Sequence, residues 1–138
     1  MLTTRKIFRV FMFSILTIAI IVGLYLAWYY LLRPLRTYDF ALENYTRPIE
    51  NPDFTYDEVL GPIDDASDAR EKGVSVFIDV YGEDIIRNEK PFLVGYDQNT
   101  DTWMVVGSLS PIPLTLGGVA HIVINGSDGA VVAVWHTK

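Results

Sequence analysis

The chain has 138 residues, half of them hydrophobic, and its 11 basic and 17 acidic residues give a net charge of −6. It has no cysteine, which excludes a disulfide framework, a thiolate nucleophile, a Cys-ligated metal and a lipid-modified cysteine anchor. Five basic residues (Arg5, Lys6, Arg9, Arg33, Arg36) precede every acid, so the part beyond Arg36 sets six basic against 17 acidic residues, a net −11; a domain that acidic is repelled by nucleic acid, which excludes such a partner.

The chain opens on an apolar run, Val10 to Leu32, with 23 uncharged positions between Arg9 and Arg33. As a helix it spans roughly 34 Å, enough to cross a hydrocarbon core of about 30 Å. Inside lipid every backbone polar group must be satisfied within the segment, so the run is expected to be a transmembrane helix. Tyr25, Trp28, Tyr29 and Tyr30 stand at its far end, where amphipathic rings suit the headgroup level. A cleaved signal peptide has a shorter apolar core of about 7–15 residues and a small-x-small site. This run ends instead in Ala27-Trp28-Tyr29-Tyr30-Leu31-Leu32. The expectation is a single-pass anchor over residues 1–36 in the inner or cytoplasmic membrane, touching the bilayer through Val10–Leu32. Arg5, Lys6, Arg9 and the amino terminus outweigh Arg33 and Arg36, so the positive-inside rule puts the C-terminal domain outside the cytoplasm.

Residues 37–62 read as an acidic, proline-containing tether. TYDFALEN has room for one or two helical turns, and then Pro48, Pro52 and Pro62 break regular structure. Phe54, Tyr56, Val59 and Leu60 are its candidates for packing onto the domain that follows.

Residues 63–138 read as one small α+β domain. Ala66, Ala69, Gly73, Val76, Phe77, Val80 and Tyr81 recur at helical spacing, with Asp64 or Asp65 as the cap and Gly82 as the stop. Val74, Val76, Ile78 and Val80 also alternate as a strand would, but length and caps favour the helix. From Pro91 onward the pattern is β: PFLVGYDQ, a turn at Asn99-Thr100-Asp101, TWMVVGSL, the loop SPIPLTLGG, VAHIVIN, a turn over Gly126–Gly129, and AVVAVWHT. Alternation puts Ala120, Ile122 and Ile124 on one face of the third strand, with Val119, His121 and Val123 on the other. In the fourth strand Val132, Val134 and His136 oppose Val131, Ala133 and Trp135. The expected fold is an N-terminal transmembrane helix, then one helix packed on a four-stranded antiparallel meander sheet.

These pieces, in this order, resemble the small immunity proteins of bacterial polymorphic toxin systems that have a nuclear-transport-factor-two-like fold. The resemblance covers about Ala66 to Lys138. It rests on a helix ending in Tyr81-Gly82, on Glu89-Lys90-Pro91-Phe92 opening a strand, and on Trp103-Met104-Val105-Val106-Gly107. It continues with Gly117-Gly118-Val119-Ala120 leading into an Ile-x-Ile strand, the Asp128-Gly129 turn, and His136-Thr137-Lys138 where the family pattern closes on His-Gly-Lys. A second family, the PepSY-type propeptide domains that inhibit peptidases, also joins one helix to a strand meander with an Asp-Gly hairpin.

The immunity resemblance implies a protein that binds a cognate toxin and blocks it sterically, without catalysis and without a cofactor. The acidic balance adds that such a toxin has a basic surface, and Asp68, Glu71, Glu83 and Asp84 are the candidate contacts. The alternative is a regulator of an envelope peptidase, or an accessory subunit of a membrane complex, with a membrane protein as its partner. In that case the stripe Ser14, Ala19 and Gly23 would pack against another helix. His121 and His136, on neighbouring strands, lack the H-x-H or H-E-x-x-H spacing of a metal site. Ser108, Ser110 and Ser127 lack the G-x-S-x-G turn of a nucleophile, and Gly117-Gly118 lacks the lysine of a phosphate loop. No catalytic, metal or cofactor residue is expected.

Overall fold

The computed structural model describes residues 3–112 and 115–138. Pro113 and Leu114, part of the loop read between the second and third predicted strands, lie outside the described residues. The chain divides into two units, Met1–Arg33 and Pro34–Lys138.

The first unit is helical. α1 spans Thr4–Ala27, and a π-helical turn continues it over Trp28–Leu32. The helical stretch near the N-terminus is long and apolar enough to cross a membrane, with a mean hydropathy of 2.5. No residue of α1 is buried, and its apolar side chains face outward all round, as a lipid-exposed helix requires. Its polar side chains are satisfied locally: Ser14 Oγ donates to Val10 O at 3.0 Å and Thr17 Oγ1 to Phe13 O at 2.9 Å. At the far end the Tyr29 and Tyr30 rings meet edge-on at 5.0 Å, and the Arg33 guanidinium lies 4.9 Å over Tyr29.

In the second unit β1 spans Thr37–Asp39, α2 Thr46–Glu50, α3 Ala66–Tyr81 and α4 Glu83–Arg87. The strands β2 Leu93–Asp97, β3 Thr102–Val106, β4 Ala120–Asn125 and β5 Val131–His136 follow. The sheet is five-stranded in the order β1-β2-β3-β4-β5. β2 to β5 form the expected antiparallel meander, but β1 adds a parallel edge, so the sheet is mixed and not four-stranded. Three exposed residues, Thr-Tyr-Asp, are too short to display alternation, which is why the sequence pattern did not reveal β1. The pairing also depends on Gly95, opposite Tyr38: a Cβ there would lie 3.0 Å from the Phe40 ring and 3.1 Å from Tyr38 O.

α3 starts where its cap predicts, because Asp65 Oδ1 accepts from Ser67 N at 2.7 Å and Asp68 N at 2.9 Å. It stops at Gly82, whose φ of 91° suits a residue without Cβ. Ala69, Gly73, Val76 and Phe77 form its buried stripe and pack on Val94, Val105, Ile122, Ile124 and Val134. Gly73 sets the helix–sheet distance, since a Cβ there would stand 2.9 Å from Val105 Cγ2.

The opposite face of the sheet presents Met104, Val123, Ala133 and Trp135, covered by Phe40, Leu42, Tyr45 and Ile49. Buried Asp97 fastens this cover: its Oδ2 accepts from Leu42 N at 2.8 Å, which holds its carboxyl below the usual range. Residues 53–63 run beside β5, with bridges Phe54–Val134 and Val59–Ala130. Tyr56 and Leu60 pack against the α3-side core.

One predicted face needs correction. The register shifts so that Val123 pairs with Ala133 while Ile124 pairs with Val131, leaving Val132 as an extra residue. This bulge turns Val131 toward the α3-side core, away from the face of Ala133 and Trp135.

Candidate functional site

The four acids proposed as contacts lie on two helices. On α3, Asp68 accepts from Lys72 Nζ at 2.8 Å and from Asp64 N at 3.0 Å, and the lysine bond first, then the amide, holds its carboxyl below the ordinary range. Glu71 is exposed one turn along the same helix. Glu83 and Asp84 are exposed in the first turn of α4, and Arg87 Nη2 reaches them at 3.6 and 3.2 Å. Such exposed pairs contribute little to stability.

The motif residues carry structural work that explains their types. Asp128 Oδ1 accepts from Ala130 N at 2.8 Å, and Gly129, with φ of 74°, lies where a Cβ would collide with Gly61 O. Gly117 has φ of 142°, and a Cβ on Gly118 would collide with Thr137 O. Trp103 is half-buried and lies against Tyr96, with ring centroids 4.4 Å apart and the ring planes tilted by 35°. Tyr81 ends α3 with its ring edge-on to His136 at 5.5 Å.

Several of these pieces converge on one carboxylate that sequence reasoning did not single out. Glu89, between α4 and β2, is only 6% exposed. Its Oε2 accepts from Ala120 N at 2.7 Å, and its Oε1 lies 2.8 Å from His136 Nε2. Its main-chain oxygen accepts from Ser108 N at 2.7 Å. Gly107 is opposite, where a Cβ would collide with the carboxylate. The β5 end is held further by Thr137 N donating to Val119 O at 3.0 Å and Val119 N donating to Thr137 Oγ1 at 2.9 Å. Asp53 Oδ2 accepts from His136 N at 2.8 Å. The Glu89-Lys90-Pro91 and His136-x-Lys138 pieces, 47 residues apart, therefore close one clasp over Gly107 and Gly118. Those residues were legible as motifs, but nothing local in the sequence signals that they meet.

Two hydroxyls beside this region, Tyr81 Oη and Ser108 Oγ, are buried without a hydrogen-bond partner. Burial first, and then the charges of Asp53 and Glu89, push the Tyr81 phenol up to about 12. Next to the clasp, Arg47, Asn51, Asp53, Trp135, His136 and Lys138 line an open cleft of about 660 Å³. The two histidines occupy opposite faces of the sheet. His121 stacks on Trp135 at 5.0 Å, and burial pushes its pKa down. Among the described residues no group of three His, Cys, Asp or Glu is placed to hold a metal.

A comparison against protein families gives a match. Residues 75–138 match the family model of the NTF2 fold immunity proteins. The resemblance read from the sequence is thus borne out over this span, which runs from the middle of α3 to Lys138 and includes α4, β2 to β5 and the whole Glu89–His136 clasp. The immunity-protein family implies neutralisation of a protein toxin in general terms. No curated protein and no solved structure matches the chain.

Proposed function

We propose that this protein is a membrane-anchored immunity protein that binds a cognate toxin and blocks it sterically. The observation that carries the reading is the match of residues 75–138 to the NTF2 fold immunity proteins, in a chain that also has an apolar N-terminal helix of membrane-spanning length. The protein acts by binding and not by catalysis. Its anchor lies in the cytoplasmic membrane, with residues 63–138 as the binding domain on the extracytoplasmic side, and residues 37–62 leading to it and packing on its sheet through β1 and the Phe40–Ile49 cover. There it meets a toxin that acts on the wall or the membrane. The net −11 beyond Arg36 favours a toxin with a basic surface, drawn in by electrostatic steering. Asp68, Glu71, Glu83 and Asp84 are contacts in this reading, with Glu71 the least engaged in local pairs.

The test is affinity capture with the full-length chain, solubilised from the membranes of its own cells, followed by mass spectrometry. Retention of a secreted protein with a toxic C-terminal domain is the expected result. Retention of a membrane peptidase or a set of integral membrane proteins, without a toxin, would favour the peptidase-regulator alternative.

A further inference from the structure

Both ring nitrogens of His136 face acceptors. Nε2 lies 2.8 Å from Glu89 Oε1, and Nδ1 lies 2.6 Å from Thr137 O. A carbonyl oxygen only accepts, so Nδ1 must carry a proton. The Nε2–Oε1 line then needs a second proton, carried by the imidazole as an ion pair or by the carboxyl as a neutral acid. In either arrangement the closed clasp holds one proton more than a carboxylate beside a neutral imidazole. Without it the neutral ring has one proton for two acceptors, so lone pairs face each other either at Nε2 and Oε1, where Glu89 is only 6% exposed, or at Nδ1 and Thr137 O.

We infer that the Glu89–His136 clasp is a proton-operated latch, closed by one proton shared across the pair and loosened when that proton leaves. The proton belongs to the pair, as coupled sites require. The neighbours do not supply a substitute. Asp53 is occupied by His136 N, and Tyr81, edge-on to His136, ionises only at about 12. His121 is on the opposite face, stacked on Trp135, and burial pushes its pKa down. Arg47 and Lys138, lining the cleft with His136, are cations with no proton acceptor to offer. The latch fastens the end of β5, which is also a wall of the 660 Å³ cleft, so the shape of that cleft follows the proton.

Hydrogen exchange of the full-length chain in detergent micelles tests this at the amides of Ala120 and Thr137. It is run at about pH 5.5 and about pH 8.5. Protection factors are corrected for the intrinsic pH dependence of exchange. The latch predicts Ala120 protection about 10-fold or more lower at the higher pH in the wild type. Glu89→Gln should reverse the sign, because its amide can accept from Ala120 N and donate to a neutral His136 Nε2, whereas a protonated ring would face its NH₂. His136→Gln should abolish the dependence. Should Glu89→Gln fail to fold, the ¹⁵N ring shifts of wild-type His136 decide. Loss of the shared proton in step with Ala120 protection supports the latch. Protection that does not change while the proton leaves overturns it, as does a wild type and Glu89→Gln with the same pH response.

Discussion

One face of the sheet is covered by a 16-residue helix, and the other by a segment, Phe40 to Ile49, whose longest regular element is the five-residue α2. The helix-side core is larger and tighter: Phe77, Val76, Ile122, Ile124 and Val134 are all fully buried, and Gly73 brings the backbone within contact of Val105. On the second face Trp135 and Met104 retain some exposure, Tyr45 and Phe40 are half-buried, and an open cleft adjoins Trp135. The difference teaches where stability and accessibility reside. The helix face holds the fold together, while the cleft adjoins the other face at the end of β5, where the histidine clasp closes on the helix side beside Tyr81.

The largest expected effect breaks the helix face. Phe77→Ala removes a fully buried ring and should cost about 3–5 kcal/mol by urea denaturation. Tyr45→Ala removes a half-buried ring that meets Trp135 at 6.0 Å and Phe40 at 6.1 Å, and should cost about 1–2 kcal/mol. Equal losses would erase the comparison. Next, Gly73→Ala should destabilise by about 1–3 kcal/mol, because the new methyl meets Val105 Cγ2 and Ile122 Cγ2 across a closed interface.

A smaller effect sharpens the picture at the junction of α3 and the clasp. Tyr81 keeps its proton to about pH 12 in the fold, whereas an unfolded tyrosine loses it near 10. The folded state therefore holds more protons in that window, and stability falls as pH rises from about 10 to about 12. Tyr81→Phe should remove its share of the alkaline loss, leaving that of Tyr56 and Tyr96, whose phenols are also pushed up. At neutral pH it should be neutral or stabilising, within about 1 kcal/mol, because it deletes a buried hydroxyl without a partner. The smallest stability change belongs to the outer helix surface, where Glu71→Gln with Glu83→Gln should stay within about 0.5 kcal/mol, since the Glu83–Arg87 pair is exposed. In the immunity reading the same two substitutions weaken toxin association and flatten its salt dependence.

How much of this was legible follows from periodicity. α3 and β2 to β5 repeat their apolar residues at 3.6 or 2 positions and carry capping or turn residues at their ends, so pattern alone located them. β1, the Leu42–Tyr45 turn and α2 are each five residues or shorter, and their placement comes from long-range contacts such as Asp97 with Leu42 N. The Val132 bulge escaped for a related reason. Alternation is a local rule, and the shift arises where β5 pairs with β4. The clasp was half legible: Glu89, Gly107, Gly118 and His136 stood in the motifs, but partners 47 residues apart are joined only by the finished fold.

The most direct measurement of the central claim is protection in living cells. The toxic domain of the protein captured by the full-length chain is expressed in a sensitive host, with and without this chain. The account predicts that the domain kills alone and that growth returns when the chain is present. Continued killing in the presence of the membrane-inserted, folded chain would contradict immunity.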